Sequence, residues 1–135
     1  MITAVDTSVL VDIFGADPIF GERSAETIRR CLSEGALVAC EAVWAETATV
    51  FRQESAFLEA MRILEVVFSP MAKDTALRAA VAWRRYRAQG GKRDRMAADF
   101  LIGAHALVQC DRLLTRDRGF YRNYFHRLKI IDPAG

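Results

Sequence analysis

The chain of 135 residues has few of the residues that mark disordered, fibrous or disulfide-rich proteins. It contains only 3 prolines and 8 glycines, which argues against a disordered or collagen-like chain. Its three cysteines, Cys31, Cys40 and Cys110, are odd in number and stand in apolar surroundings. We interpret them as reduced core thiols of a cytoplasmic protein.

Long apolar runs and zinc-ligand patterns are also missing. No apolar run approaches the roughly 20 residues that span a bilayer. The first residues do not follow the basic-then-apolar order of a secretion signal, because Asp6 interrupts them. Neither His105 nor His126 has a cysteine or a second histidine at ligand spacing. We therefore predict a protein with no membrane span and no zinc site.

Basic residues are scarce in the first part of the chain and abundant in the second. Residues 1–74 contain 6 Lys/Arg and 12 Asp/Glu, whereas residues 75–135 contain 13 and 5. These basic residues either line solvated helix faces or bind a polyanion. The nearby acids Asp99 and Asp117 favour the second interpretation, because a polyanion would need cations near an acidic site. The two basic clusters are Arg84, Arg85, Arg87, Lys92, Arg93 and Arg95, then Arg112, Arg116, Arg118, Arg122, Arg127 and Lys129.

Short apolar runs alternate with longer segments of helical periodicity. The predicted strands are 2–5, 36–40, 66–68, 112–115 and 128–131. Thr7 or Ser8 is predicted to cap a first helix that runs to Phe14. Further helices are predicted over 22–34, 41–52, 54–64, 73–88 and 94–109, with a short helical turn at 120–125. This alternation predicts one α/β domain, residues 1–135, whose parallel sheet is covered by helices on both faces.

Four isolated carboxylates are attached to the apolar segments. Asp6 ends the first strand, Glu46 borders the apolar face of a helix, Asp99 lies within an apolar helix, and Asp117 follows the strand at 112–115. Burying a carboxylate is unfavourable unless something neutralises it. Because sites in parallel sheets form beyond the carboxyl ends of strands, the four acids predict one shared Mg²⁺ or Mn²⁺ site.

Each acid alone also has a structural interpretation. Asp6 stands where a helix cap is expected, and Glu46 could be a solvated flank of its helix. Asp99 could pair with Arg95 one turn earlier, and Asp117 could be a turn residue. The conjunction of all four is what favours the metal site.

An acidic site of this kind suits hydrolysis of a phosphodiester with one or two ions. Such hydrolysis does not use the RNA 2′-hydroxyl, so the acids alone do not separate RNA from DNA as the substrate. Thr115, two residues before Asp117, either supports the ligands with its hydroxyl or is simply a β-branched residue at a strand end.

The four acidic segments, taken in order, resemble the PIN-domain ribonucleases and in particular the VapC-type toxins of type II toxin–antitoxin pairs. The resemblance runs over nearly the whole chain and includes its Asp132-Pro133 end. The matching segments are Asp6-Thr7-Ser8-Val9-Leu10, Trp44-Ala45-Glu46, Asp99-Phe100-Leu101-Ile102-Gly103-Ala104-His105-Ala106 and Leu114-Thr115-Arg116-Asp117.

The resemblance implies a PIN-like α/β/α sandwich and an endoribonuclease that depends on Mg²⁺ or Mn²⁺. Asp6, Glu46, Asp99 and Asp117 would be both its metal ligands and its catalytic residues. It also implies a homodimer, held inactive by a small antitoxin whose tail covers the active-site groove, and RNA targets such as transfer or ribosomal RNA. Arg116 and Arg118, which flank Asp117, contact RNA phosphate in this interpretation or are solvated arginines in the alternative.

Other residues near these motifs are not assigned to the acidic quartet. They include Asp12, Glu41 and Asp94. His105 lies about 240° around its helix from Asp99, so we interpret it as a packed core histidine.

Trp83 and Tyr86 are candidates for a dimer surface, with core packing as the favoured alternative. The rival functions are a non-catalytic RNA- or protein-binding PIN-like domain and a DNA-directed nuclease of the same chemistry.

Overall fold

The computed structural model describes residues 1–91 and 97–135, and over these ranges the chain forms a parallel sheet flanked by helices. The strands are β1 (Ile2–Val5), β2 (Ala36–Ala39), β3 (Val66–Phe68), β4 (Arg112–Leu114) and β5 (Ile130–Ile131). The helices are α1 (Thr7–Phe14), α2 (Gly21–Glu34), α3 (Glu41–Ala48), α4 (Glu54–Ile63), α5 (Lys73–Ala88), α6 (Ala97–Gln109) and α7 (Arg118–Tyr124). The predicted α/β class is confirmed. Predictions that involve Lys92, Arg93, Asp94 and Arg95 lie outside the described residues.

The sheet has the strand order β3-β2-β1-β4-β5, and every neighbouring pair is parallel. Its central strand β1 is an apolar run because both of its faces are covered, as parallel strands require. Val5 pairs in register with Leu114 of β4, and both side chains are fully buried. The carboxyl ends of β1 and β4 therefore lie side by side.

The helix predicted over 41–52 ends earlier, at Ala48. The hydroxyl of Thr49 donates to the carbonyl oxygen of Glu46 at 2.6 Å, so the side chain competes for a helical acceptor. The N–H of Phe51 then bonds to the carbonyl of Ala48 at 3.1 Å, which closes a turn. Glu46 is consequently in the last turn of a short helix.

An aromatic cluster packs α5 and α7 against α6. The ring of Trp83 stacks on the ring of Phe100 with centroids 5.5 Å apart, and the rings of Tyr86 and Phe120 meet Phe100 edge-on. Phe100 is fully buried. The core-packing interpretation of Trp83 and Tyr86 therefore agrees with the structure.

None of the helices in the described residues has the length and apolar character needed to cross a membrane.

We expect Gly103→Ala to destabilise the protein by about 1–3 kcal/mol, because overpacking a core forces its neighbours to move. A Cβ at Gly103 would lie 2.4 Å from Cε2 of the buried Phe125 ring. Urea unfolding measures the change. The control is Gly119→Ala in α7, where an added Cβ meets nothing within 4 Å. Equal unfolding free energies for the two variants would contradict this account of the packing.

Candidate active site

The acids that follow β1 and β4 lie close together because their strands are neighbours. The N–H of Asp6 donates to the carbonyl oxygen of Leu114 at 2.9 Å, which extends the parallel ladder to the first acid. The N–H of Asp117 donates to the hydroxyl oxygen of Thr115 at 3.0 Å. Asp117 is half-buried just beyond the end of β4.

Asp6 is the most buried of the four acids, with 6% of its surface exposed. Its backbone stands at the N-cap position of α1, yet its side chain makes no capping hydrogen bond. The carboxylate Oδ2 instead accepts hydrogen bonds from the hydroxyls of Thr115 at 2.7 Å and Ser8 at 3.3 Å. Within the described part of the chain, its partners are hydroxyls and backbone, with no cationic side chain among them.

Burial raises the pKa of the Asp6 carboxyl to about 6. The hydrogen bond from Thr115 opposes this rise because it favours the charged form, and the negative charge of Asp99 adds to it. The influence of Asp99 indicates that its carboxylate lies near that of Asp6. No cationic side chain among residues 1–91 and 97–135 therefore supplies the counter-charge that a bound cation would give an ionised Asp6.

Glu46 reaches the same edge of the sheet from α3. The hydroxyl of Thr7, the residue directly after Asp6, donates to Oε1 of Glu46 at 2.7 Å. The sequence suggested helix capping for Thr7 or Ser8, whereas the structure gives both hydroxyls to acidic side chains. In the sequence, the two hydroxyl residues directly after Asp6 were the pattern that could have predicted these contacts.

The other three acids are each connected to Asp6. Asp99 affects it through its charge. Glu46 is connected through Thr7, and Asp117 through Thr115. The four acids are not gathered tightly: over residues 1–91 and 97–135, no three His, Cys, Asp or Glu side chains form a group positioned to hold a metal ion. Carboxylates without a cation repel one another. The donor set fits Mg²⁺ or Mn²⁺ by its chemistry, since it consists of carboxylate oxygens supported by hydroxyls.

The two arginines beside Asp117 are both paired. Arg116 binds the buried carboxylate of Asp12 through two hydrogen bonds, of 2.6 Å from Nε and 2.9 Å from Nη2. Arg118 lies 3.4 Å from Oδ2 of Asp132 and remains about half exposed. From the sequence we assigned no role to Asp12. Its charge among the apolar residues of α1 could have indicated a buried ion pair.

The remaining candidates have structural contacts. His105 is buried, its Nε2 lies 2.9 Å from the hydroxyl oxygen of Ser69, and burial lowers its pKa. This confirms the core interpretation of His105. The carboxylate of Glu41 accepts the N–H of Met71 at 3.0 Å. The thiol of Cys110 lies next to His105, and burial raises the pKa of the thiol to about 12.

Comparison with known proteins identifies a PIN domain over residues 3–126. Among solved structures, the VapBC-1 complex of nontypeable Haemophilus influenzae matches with a TM-score of 0.76 at 19% identity, covering 100% of both chains. The VapBC2 complex of Rickettsia felis, bound to a DNA fragment from its promoter, gives 0.77 at 14% identity and 98% coverage of both chains. VapC20 of Mycobacterium tuberculosis, described as a sarcin–ricin loop cleaving toxin, gives 0.61 at 17% identity, covering 94% of this chain and 98% of its own.

These identities are low, so the structural matches show a shared fold. No curated protein sequence matches the chain.

The metal-free Asp6→Asn variant is expected to be more stable than the wild type at pH 7.5. The folded-state pKa of about 6 lies above the ordinary value of 3.8 for an aspartate, so the folded state binds the proton more tightly. Wild-type stability therefore falls as pH rises from about 4 to about 6, by on the order of 3 kcal/mol. Asparagine has no charge to bury. Urea unfolding in chelator at pH 4.5 and 7.5 tests this, and a difference between the proteins that does not grow with pH would contradict it.

Thr115→Val is expected to lower the free energy of unfolding by about 1–3 kcal/mol, because it removes a hydroxyl that donates to Asp6 and accepts from the Asp117 N–H. Thr115→Ser keeps that hydroxyl and serves as the matched control. Thermal unfolding of both variants measures the effect. A valine variant as stable as the wild type, or no less stable than the serine variant, would contradict this role of the hydroxyl.

Proposed function

The chain belongs to the PIN-domain family, and from this premise we propose that it is a metal-dependent endoribonuclease toxin of a toxin–antitoxin pair. The observation that carries the proposal is the buried carboxylate of Asp6, with Glu46, Asp99 and Asp117 linked to it at one edge of the sheet. A fold alone does not define an activity, and these side chains are what supports a nuclease site.

We infer that Asp6, Glu46, Asp99 and Asp117 hold one or two Mg²⁺ or Mn²⁺ ions. When bound, such ions lower the pKa of water and stabilise the charge that develops on a phosphate. The chain contributes the ligands and their orientation. The hydroxyl of Thr115 favours the ionised form of Asp6, and the hydroxyl of Thr7 orients Glu46.

The proposed substrate is RNA, of the transfer or ribosomal kind that the resemblance implies. The excess of basic residues in 75–135 supports a polyanionic substrate, because nucleic-acid binding depends on neutralising phosphates. Arg118 is the arginine beside Asp117 with the more exposed side chain, and we assign it to a phosphate contact.

The proposed protein partners are a small antitoxin and a second copy of this chain, in the cytoplasm. The structural relatives support the antitoxin, since several were solved as toxin–antitoxin complexes. Exposed apolar residues on the packed helices α5 and α6 support a surface for the second copy, in agreement with an apolar interface. They are Leu77, Val81, Leu107 and Val108.

Antitoxin-free protein is expected to cleave total cellular RNA into discrete fragments with Mg²⁺ or Mn²⁺ and to lose this activity in chelator. Asp6→Asn and Asp99→Asn should each reduce the rate by about 100-fold or more. Each removes a proposed metal ligand, and even the loss of a residue that only orients a ligand typically costs about 10- to 100-fold. The matched control is Asp74→Asn, an exposed aspartate in the first turn of α5. Fragment sequencing would then define the cleavage site.

The other outcomes separate the rival functions. Cleavage that survives both substitutions contradicts the proposed site. RNA binding without cleavage, by folded and metal-loaded protein, favours a non-catalytic binding domain. Equal cleavage of single-stranded DNA favours a nuclease without RNA specificity.

A further inference from the structure

The ion pair between Arg116 and Asp12 joins the turn that carries Asp117 to helix α1. Both oxygens of Asp12 are used, since Nε of Arg116 lies 2.6 Å from Oδ2 and Nη2 lies 2.9 Å from Oδ1. The hydroxyl of Ser24 in α2 also donates to Oδ2, at 3.2 Å. The Asp12 side chain is 3% exposed and the Arg116 side chain is 30% exposed, so this is a partly buried, bidentate pair with a third hydrogen bond to its carboxylate.

The flat face of the same guanidinium is covered as well. Its Cζ lies 4.1 Å from the centroid of the Phe20 ring, within the range of a cation–π contact. Phe20 is itself fixed, because the carboxylate of Asp17 accepts the N–H groups of Ile19 at 2.9 Å and Phe20 at 2.8 Å. Arg116 is therefore held along its edge by Asp12 of α1 and on its face by Phe20, which lies between α1 and α2.

On its other side, the turn that carries Asp117 is held by Thr115 and Asp6. Thr115 donates to the carboxylate of Asp6 at 2.7 Å and accepts the N–H of Asp117 at 3.0 Å. Two consecutive side chains are thus fixed in different directions, Thr115 toward Asp6 and Arg116 toward Asp12. The backbone at Asp117 is determined by contacts on both sides.

We propose that Asp12 and Arg116 are positioning residues that hold Asp117 in its metal-binding geometry, an inference that rests on the proposed function of Asp117. Buried ion pairs contribute little net stability after desolvation, so stability alone is a weak reason for this one. The pair acts through the backbone of the turn and does not contact the metal. Arg62 and Glu59 form an equally bidentate pair on the exposed surface of α4, at 2.9 and 2.6 Å.

The test is Mn²⁺ affinity, measured by calorimetry on wild type and on the double variant Asp12→Asn/Arg116→Met, which leaves neither charge buried alone. We expect the Mn²⁺ dissociation constant to rise by about 10-fold or more, as for other residues that orient metal ligands. Hydrogen exchange at the Asp117 amide should accelerate in the metal-free protein. In RNA cleavage, kcat should fall while KM changes little. Arg62→Met is the matched control, because it removes a bidentate pair at the other end of the strands.

Arg116→Lys tests the same idea with a smaller change, since lysine keeps the charge and loses the bidentate geometry. It should give an intermediate Mn²⁺ affinity, and it carries the test if the double variant does not fold. Unchanged Mn²⁺ affinity and unchanged Asp117 exchange in a folded variant would overturn the proposal. A rise in KM alone would also overturn it, by assigning Arg116 to RNA binding. A wild type that binds Mn²⁺ without cleaving RNA would refute the proposed function and leave the positioning role supported by affinity and exchange.

Discussion

The hydrogen bond from the Thr115 hydroxyl to the Asp6 carboxylate joins the two central strands where the acids emerge. It exists because β1 and β4 pair in parallel, with Val5 opposite Leu114. The order β3-β2-β1-β4-β5 therefore brings together residues that are 109 positions apart in the sequence. The helices that carry Glu46 and Asp99 then only need to pack on this sheet to bring their acids to the same edge.

Burying the Asp6 carboxylate is unfavourable without a bound cation, because no cationic side chain in the described part of the chain neutralises it. Burial, together with the nearby charge of Asp99, raises the pKa of Asp6 to about 6 against the opposing effect of its hydrogen bonds. Surrounding hydroxyls reduce this penalty and do not remove it. Functional sites commonly sacrifice stability in this way, because the groups that bind ligand are poorly compensated in its absence. The same reasoning explains why the acids stand near one another without forming a closed cluster.

The strands and the place of Asp6 directly after β1 could be predicted from the sequence because both depend on local pattern. An apolar run that ends in Asp6 indicates a buried strand and a strand-end acid at once. The partners of the acids could not be predicted, because Thr7 meets Glu46 and Arg116 meets Asp12 only through tertiary packing. The end of α3 at Ala48 was missed for a local reason, the bond from Thr49 to the helix backbone.

The central claim is that the carboxyl edge of β1 and β4 binds a divalent cation. The most direct test is the anomalous diffraction of Mn²⁺ in crystals of the antitoxin-free protein, collected at a pH above 7 so that Asp6 is ionised. The account predicts an anomalous peak in contact with the carboxylates of Asp6 and Asp99. A well-ordered edge without such a peak, at saturating Mn²⁺, or a peak only elsewhere on the surface, would contradict it.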